Sequence, residues 1–187
     1  HNGLLFGIVS RLTTQKGLDL VLEAMPQFID QGAQMVLLGS GDKSLEEAFL
    51  QFGQQYAGQV SIHIDYDEVF AHLIQAGVDC LLIPSRFEPC GLTQLFALKY
   101  GTLPIVRHTG GLADSVWENK ENLPQTGFVF DQSAVEDLSE ALSRALILYQ
   151  DREAWRQIQR NAMRQDFTWE KAGKNYIQLY QSIVGER

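Results

Sequence analysis

Short apolar runs alternate along this chain with longer stretches in which apolar residues recur at every third or fourth position. The runs are Leu4–Val9, Gln34–Leu38, Val60–Ile64, Val78–Ile83, Leu103–Arg107 and Gly127–Phe130. They are too short for helices, and their apolar character marks strands covered on both faces. The first helical stretch carries Leu18, Val21, Leu22, Met25, Phe28 and Ile29 on one face. Pro26 is expected to kink or split it, and Gly32 to end it. Further helices are predicted over Leu45–Tyr56, Glu68–Gln75, Gly91–Tyr100 and Leu112–Trp117. A capping-box pair, Ser133 with Glu136, predicts another that runs to about Tyr149, and two more follow over Arg152–Arg164 and Trp169–Val184. Within Gly91–Tyr100, the residues Leu92, Leu95, Phe96 and Tyr100 share one face; in the last helix Ala172, Tyr176, Leu179, Tyr180 and Ile183 do.

Strand and helix in this alternation predict an α/β fold, a doubly wound, Rossmann-like parallel sheet of about six strands with helices on both faces, forming a single domain over 1–187. Ligands of such sheets bind beyond the carboxyl ends of the strands. The loops there hold Arg11 and Lys16, then Gly39-Ser40-Gly41, Tyr66, Ser85–Thr93 and Gly110-Gly111. The Ser85–Thr93 turn is the centre of the arrangement. Pro84 and Pro89 make it extended and rigid, and the bare amides of the helix start at Gly91 suit an anion. Glu88 stands at its mouth, where a carboxylate would repel a phosphate but accept hydrogen bonds from neutral hydroxyls such as those of a sugar.

Composition narrows the partners. The chain has 187 residues, 45% hydrophobic and 20% charged, with a net charge of −8. That balance argues against a nucleic-acid or anionic-membrane surface, and makes the few cations worth placing one by one. No run approaches the roughly 18 apolar residues of a membrane helix. Cys80 and Cys90 have no metal-ligand spacing; Cys80 reads as core, and the usage as reduced. Arg11 and Lys16, opposite the helix start at Gly91, are placed to hold a diphosphate, one as a bidentate fork and the other as a point charge. Neither familiar phosphate-loop pattern is present, and Gly39-Ser40-Gly41 is only a fragment of a dinucleotide fingerprint. Asp65-Tyr66-Asp67 has the form of a metal-binding pair but reads better as negative charge at a helix N-terminus, with Tyr66 as a platform for a purine face. His63 and His72 read as structural, and His108 flanks the crevice.

The motifs Ser10-Arg11-Leu12-Thr13-x-Gln15-Lys16-Gly17, Glu88-Pro89-Cys90-Gly91-Leu92-Thr93-Gln94-Leu95 and Thr109-Gly110-Gly111-Leu112-x-Asp114 resemble those of bacterial glycogen synthases and plant starch synthases, as does Asp166-Phe167-Thr168-Trp169-Glu170. The resemblance spans the chain and implies the C-terminal, donor-binding half of a GT-B enzyme, in which two Rossmann-like domains face across a cleft. It implies transfer of glucose from ADP-glucose to the non-reducing end of an α-1,4-glucan with retention, without a metal or other cofactor. Residues matching Arg11 and Lys16 then neutralise the distal phosphate of ADP, and Glu88 with Pro89, Cys90 and Gly91 holds the glucose. Tyr66 stacks on adenine, Gly91, Leu92 and Thr93 contact phosphate, and Gly39 and Gly41 fall in the nucleotide-side loop. Phe96 stands where the wider retaining pattern has a second glutamate, which favours the glycogen synthase subgroup. The resemblance further implies a bacterial cytoplasmic protein, or a plastid one from a plant. The glucan site belongs mostly to the companion half, toward which the helix at 169–184 is expected to pack. This chain alone is expected to bind ADP weakly and transfer nothing. A UDP-sugar donor, a nicotinamide dehydrogenase and a non-catalytic nucleotide-binding module are the alternatives.

Overall fold

A computed structural model describes residues 3–118 and 121–185. Its sheet has six parallel strands: β1 (Leu5–Val9), β2 (Gln34–Leu38), β3 (Val60–His63), β4 (Cys80–Ile83), β5 (Leu103–Arg107) and β6 (Phe128–Phe130). Their spatial order is β3-β2-β1-β4-β5-β6, so the winding reverses between β1 and β4. The helices are α1 (Leu18–Ala24), α2 (Pro26–Asp30), α3 (Lys43–Gln55), α4 (Glu68–Gly77), α5 (Thr93–Tyr100), α6 (Gly110–Ser115), α7 (Val135–Tyr149), α8 (Arg152–Met163) and α9 (Trp169–Val184). One layer, α1, α3 and α7, covers one face, and α4, α5 and α8 cover the other. Every residue of β4 is buried, as the unbroken apolar run requires of a central parallel strand. Burial of each such side chain contributes about 1.5–3 kcal/mol. No helix among the described residues is long and apolar enough to cross a membrane.

Pro26 splits the first helical stretch as expected, because it opens α2 at a position where its absent N–H costs nothing. Four expectations are corrected. The central helix begins at Thr93 rather than Gly91, since Gly91 has φ +74° and belongs to the turn. Its buried side consists of Gln94, Ala97 and Leu98, whereas Leu92, Phe96 and Tyr100 are exposed. The Ser133/Glu136 capping box does not form. Ala134 is the N-cap of α7 and no side chain caps it, while Asp137 reaches back to the Gln132 amide. Gly110 and Gly111 open α6 instead of forming the loop before it, and that helix ends at Ser115. The last helix, α9, buries none of its residues.

Candidate functional site

Where the winding reverses, the loops after β1 and β4 part, and two adjoining cavities open between them. The outer one, about 390 Å³, is lined by Arg11, Gly39, Tyr66, His72, Gln75 and Thr93 among others. The inner one, about 230 Å³, is lined by Lys16, Ser85, Glu88, Gly91, Leu92, Thr93 and Gln94 among others. Val9, Ser10 and Thr93 border both, so the two are compartments of one crevice. A cavity of about 420 Å³ beside β6 is larger than either. Its polar side chains already have partners: Arg144 with Glu118 at 2.8 Å, and His108 Nδ1 with Asp131 at 3.5 Å. The uncommitted chemistry lies at the β1/β4 crevice.

Lys16 closes a 3₁₀ turn after β1, and its Nζ donates to Glu88 Oε2 at 2.5 Å. The Ser85 hydroxyl donates to the same oxygen at 3.1 Å. Glu88 is therefore held in place by a cation and a hydroxyl, facing the inner cavity with its remaining acceptor capacity. Arg11 is exposed on the wall of the outer cavity, and its guanidinium has no ion-pair partner among the described residues. The expectation of two cations at one point becomes two cations in neighbouring compartments, one engaged and one uncommitted.

Long-range bonds fix this geometry. Arg86 forks onto Asp19 with two 2.6 Å bonds and also donates to the Thr14 carbonyl at 2.8 Å. That guanidinium holds the Asp19 carboxyl below its usual range. The Arg86 amide donates to Gln15, and the Gln15 side chain to the Phe87 carbonyl. From the other side, Arg107 donates to the carbonyls of Ser85, Arg86 and Asp131. The first loop and the central turn are thus tied together by side-chain and backbone hydrogen bonds.

Glycines bring the backbones close enough. A Cβ at Gly110 would collide with the Glu88 carbonyl, and one at Gly111 with that of Cys90, so the glycine pair seats the central turn. Gly39 and Gly41 serve the loops in the same way, since Cβ atoms there would strike Ser10 and Leu12. Gly39 still lines the outer cavity, whereas Gly41 does not, and its amide is taken by Glu46. Tyr66 stands at the rim, 84% exposed, with a whole ring face available for stacking. Asp67 caps α4 through the Phe70 amide, and Asp65 bonds the Tyr66 amide, so the acidic pair serves the helix start. Among the described residues no group of three or more His, Cys, Asp or Glu is arranged to hold a metal. Pro89 and Cys90 continue the turn, with Cys90 exposed and Cys80 buried in β4. Burial pushes the Cys80 thiol well above its usual range. His63 contacts Ser61 and Phe70, and His72 contacts Tyr100 and Phe96 on the outer cavity wall. The sequence pattern assigned no role to Arg86, Arg107 or Gln94: the partners of Arg86 and Arg107, and the Ser115 partner of Gln94, are distant in the chain and leave no local signal.

Comparison with known proteins identifies the family and the fold. The sequence model of the family described as "Glycosyl transferases group 1" matches residues 1–162. The chain is 52% identical over 183 residues to a glycogen synthase of Marinomonas sp. and 53% identical over 187 residues to one of Yersinia pestis, each alignment covering 98% of it. It spans 38% and 39% of the length of those relatives. Among solved structures it is similar to the catalytic domain of starch synthase IV from Arabidopsis thaliana bound to ADP and acarbose. The TM-score is 0.88 at 37% identity, over 99% of this chain and 39% of that one. A sucrose-phosphate synthase from Thermosynechococcus elongatus shares the fold, with a TM-score of 0.72 at 22% identity. With its sheet order, its β1/β4 crevice and these matches together, the chain belongs to the glycosyl transferases of group 1 and is similar to bacterial glycogen synthases over nearly its whole length.

Proposed function

We propose that this chain is the nucleotide-sugar-binding half of a retaining glucosyltransferase that moves glucose from ADP-glucose to the non-reducing end of an α-1,4-glucan. The observation that carries the reading is the Lys16–Glu88 pair beside the uncommitted Arg11, in a crevice lined by Gly91, Leu92 and Thr93. Tyr66 stacks on the adenine at the outer rim. Arg11 and Lys16 meet the diphosphate where the compartments join, and Glu88 with the Pro89–Gly91 backbone takes the glucose hydroxyls. As the bond to glucose breaks, negative charge gathers on the leaving ADP, and fixed cations stabilise it by about 2.7–4 kcal/mol per donor if they resemble measured oxyanion donors. The attacking hydroxyl enters on the leaving-group face, and the departing phosphate accepts its proton. No metal or other cofactor is required in this scheme.

The relatives' greater length supports a companion half that supplies most of the glucan site. The exposed apolar residues of α9, including Tyr176, Leu179, Tyr180 and Ile183, pack toward it. The isolated chain accordingly binds ADP weakly and transfers no glucose, and the complete enzyme works in the bacterial cytoplasm. A thermal-shift series with ADP, ADP-glucose, UDP and NAD tests the reading. Stabilisation by ADP and ADP-glucose above UDP is expected. A response to UDP alone would reassign the donor, and a response to NAD alone would refute the reading.

A further inference from the structure

Gln94 is 1% exposed, an unusual place for a carboxamide on the first turn of a helix. Its Nε2 donates to the carbonyls of Cys90 at 3.0 Å and Gly91 at 3.2 Å, and to the Ser115 hydroxyl at 3.3 Å. That hydroxyl in turn donates to the Gly111 carbonyl at 2.6 Å, and the Gly111 amide donates to the Glu88 carbonyl at 3.1 Å. A closed circuit results: Glu88–Gly91 turn, Gln94, Ser115, Gly111, and back to Glu88. The opposite atom, Gln94 Oε1, is buried with no hydrogen-bond partner and lies 2.5 Å from where a Cβ on Gly91 would stand. Leaving an acceptor unsatisfied is costly, so its retention calls for a compensating role.

We propose that Gln94 is the positioning residue of the Glu88–Gly91 turn, setting the backbone carbonyls so that the Glu88 carboxylate and the Cys90–Gly91 backbone meet the transferred sugar in register. Arg86 and Arg107 hold the front of the turn from the β1 and β5 sides, while its rear, at Cys90 and Gly91, is held by the Gln94 carboxamide, with only a long 3.6 Å contact from the Cys90 thiol to the Gly91 carbonyl beside it. Gly91 has φ +74° and no side chain, so this is the turn's freest point. A donor that pins both flanking carbonyls removes that freedom before any ligand arrives. The consequence for sugar binding rests on the donor-binding reading above; the positioning itself does not.

Amide exchange followed by NMR on the full 187-residue chain separates the two. In Gln94→Met, which keeps length and bulk but donates nothing, the Gly111 amide that bonds Glu88 exchanges about tenfold faster, the loss of roughly one net hydrogen bond. The β5 amides of Ile105 and Val106 keep their wild-type rates. Ser115→Ala, a milder change, gives a smaller acceleration at the same amide. Calorimetry then shows ADP-glucose losing its affinity advantage over ADP in Gln94→Met, with ADP itself unchanged. An unchanged Gly111 rate in both variants overturns the proposal, and so does uniform acceleration of Gly111 with Ile105 and Val106, which marks a merely structural role. Faster Gly111 exchange in a chain that binds no nucleotide sugar upholds the positioning and refutes the donor reading instead.

Discussion

Replacing Lys16 by alanine removes one member of the pair on which the site is built. The Lys16 and Glu88 side chains are 17% and 12% exposed and 2.5 Å apart, which places them between two well-characterised limits. An exposed pair contributes at most about 1 kcal/mol. Stripping one partner from a fully buried pair costs about 3–5 kcal/mol, because the other charge is left uncompensated. Lys16→Ala should therefore destabilise the chain by about 2 kcal/mol, lowering Tm by about 4–8 °C for a protein of this size. Ligand binding should lose a charge-assisted hydrogen bond of about 1.5–3 kcal/mol, so the Kd for ADP rises by about 10–150-fold. Adenosine, which carries no phosphate, should bind as before. The abandoned Glu88 carboxylate also faces the phosphate, so adding Glu88→Gln to Lys16→Ala should recover part of the lost ADP affinity. Isothermal titration with both ligands and thermal melts across the double-mutant cycle provide the readout. Equal weakening of ADP and adenosine, or single effects that add to within about 0.3–0.5 kcal/mol, would refute the reasoning.

Further outcomes follow from other parts of the structure. Arg86 lowers the Asp19 pKa from its ordinary 3.8, so that pair stabilises the fold above this value and the contribution disappears as pH falls through the folded-state pKa. Asp19→Asn should cost less than about 1 kcal/mol at neutral pH, since both side chains are partly exposed, and the gap to wild type in urea melts should close below about pH 3.8; a gap that widened in acid would oppose this. Gly111→Ala drives a methyl into the Cys90 carbonyl and should destabilise by about 1–3 kcal/mol, with ADP-glucose affinity falling more than ADP affinity in calorimetry. Removing α9 by truncation after Phe167 should leave Tm unchanged to within about 1 °C, because that helix buries nothing; a large drop would show that it is integral to the core.

Much of the architecture was legible because periodicity and punctuation act locally. The unbroken run at Cys80–Ile83 could only be a central strand, and Pro26 could only end one helix or begin another. Position after a strand brought Arg11, Lys16, Tyr66 and Glu88 to one edge of the sheet. Periodicity tells which residues share a face, not which face is covered, and α5 shows the difference. Its inner side takes Gln94 because the carboxamide is needed under the turn, leaving Phe96 and Tyr100 outward. The Ser133/Glu136 pair failed as a cap because the chain enters α7 one residue later, and Asp137 supplies the local bond. Arg86 with Asp19, Arg107 with Ser85 and Gln94 with Ser115 join residues far apart in sequence, so only the folded chain shows them.

The central claim is that Lys16, Arg11 and the amides at Gly91–Thr93 grip one diphosphate. An NMR titration of the 187-residue chain with ADP and with adenosine tests it most directly. ADP should shift the Gly91, Leu92 and Thr93 amides together with the side-chain signals of Lys16 and Arg11, while adenosine should shift only the surroundings of Tyr66. Identical responses to the two ligands, or ADP-induced shifts centred on His108 and Arg144 beside β6, would contradict it.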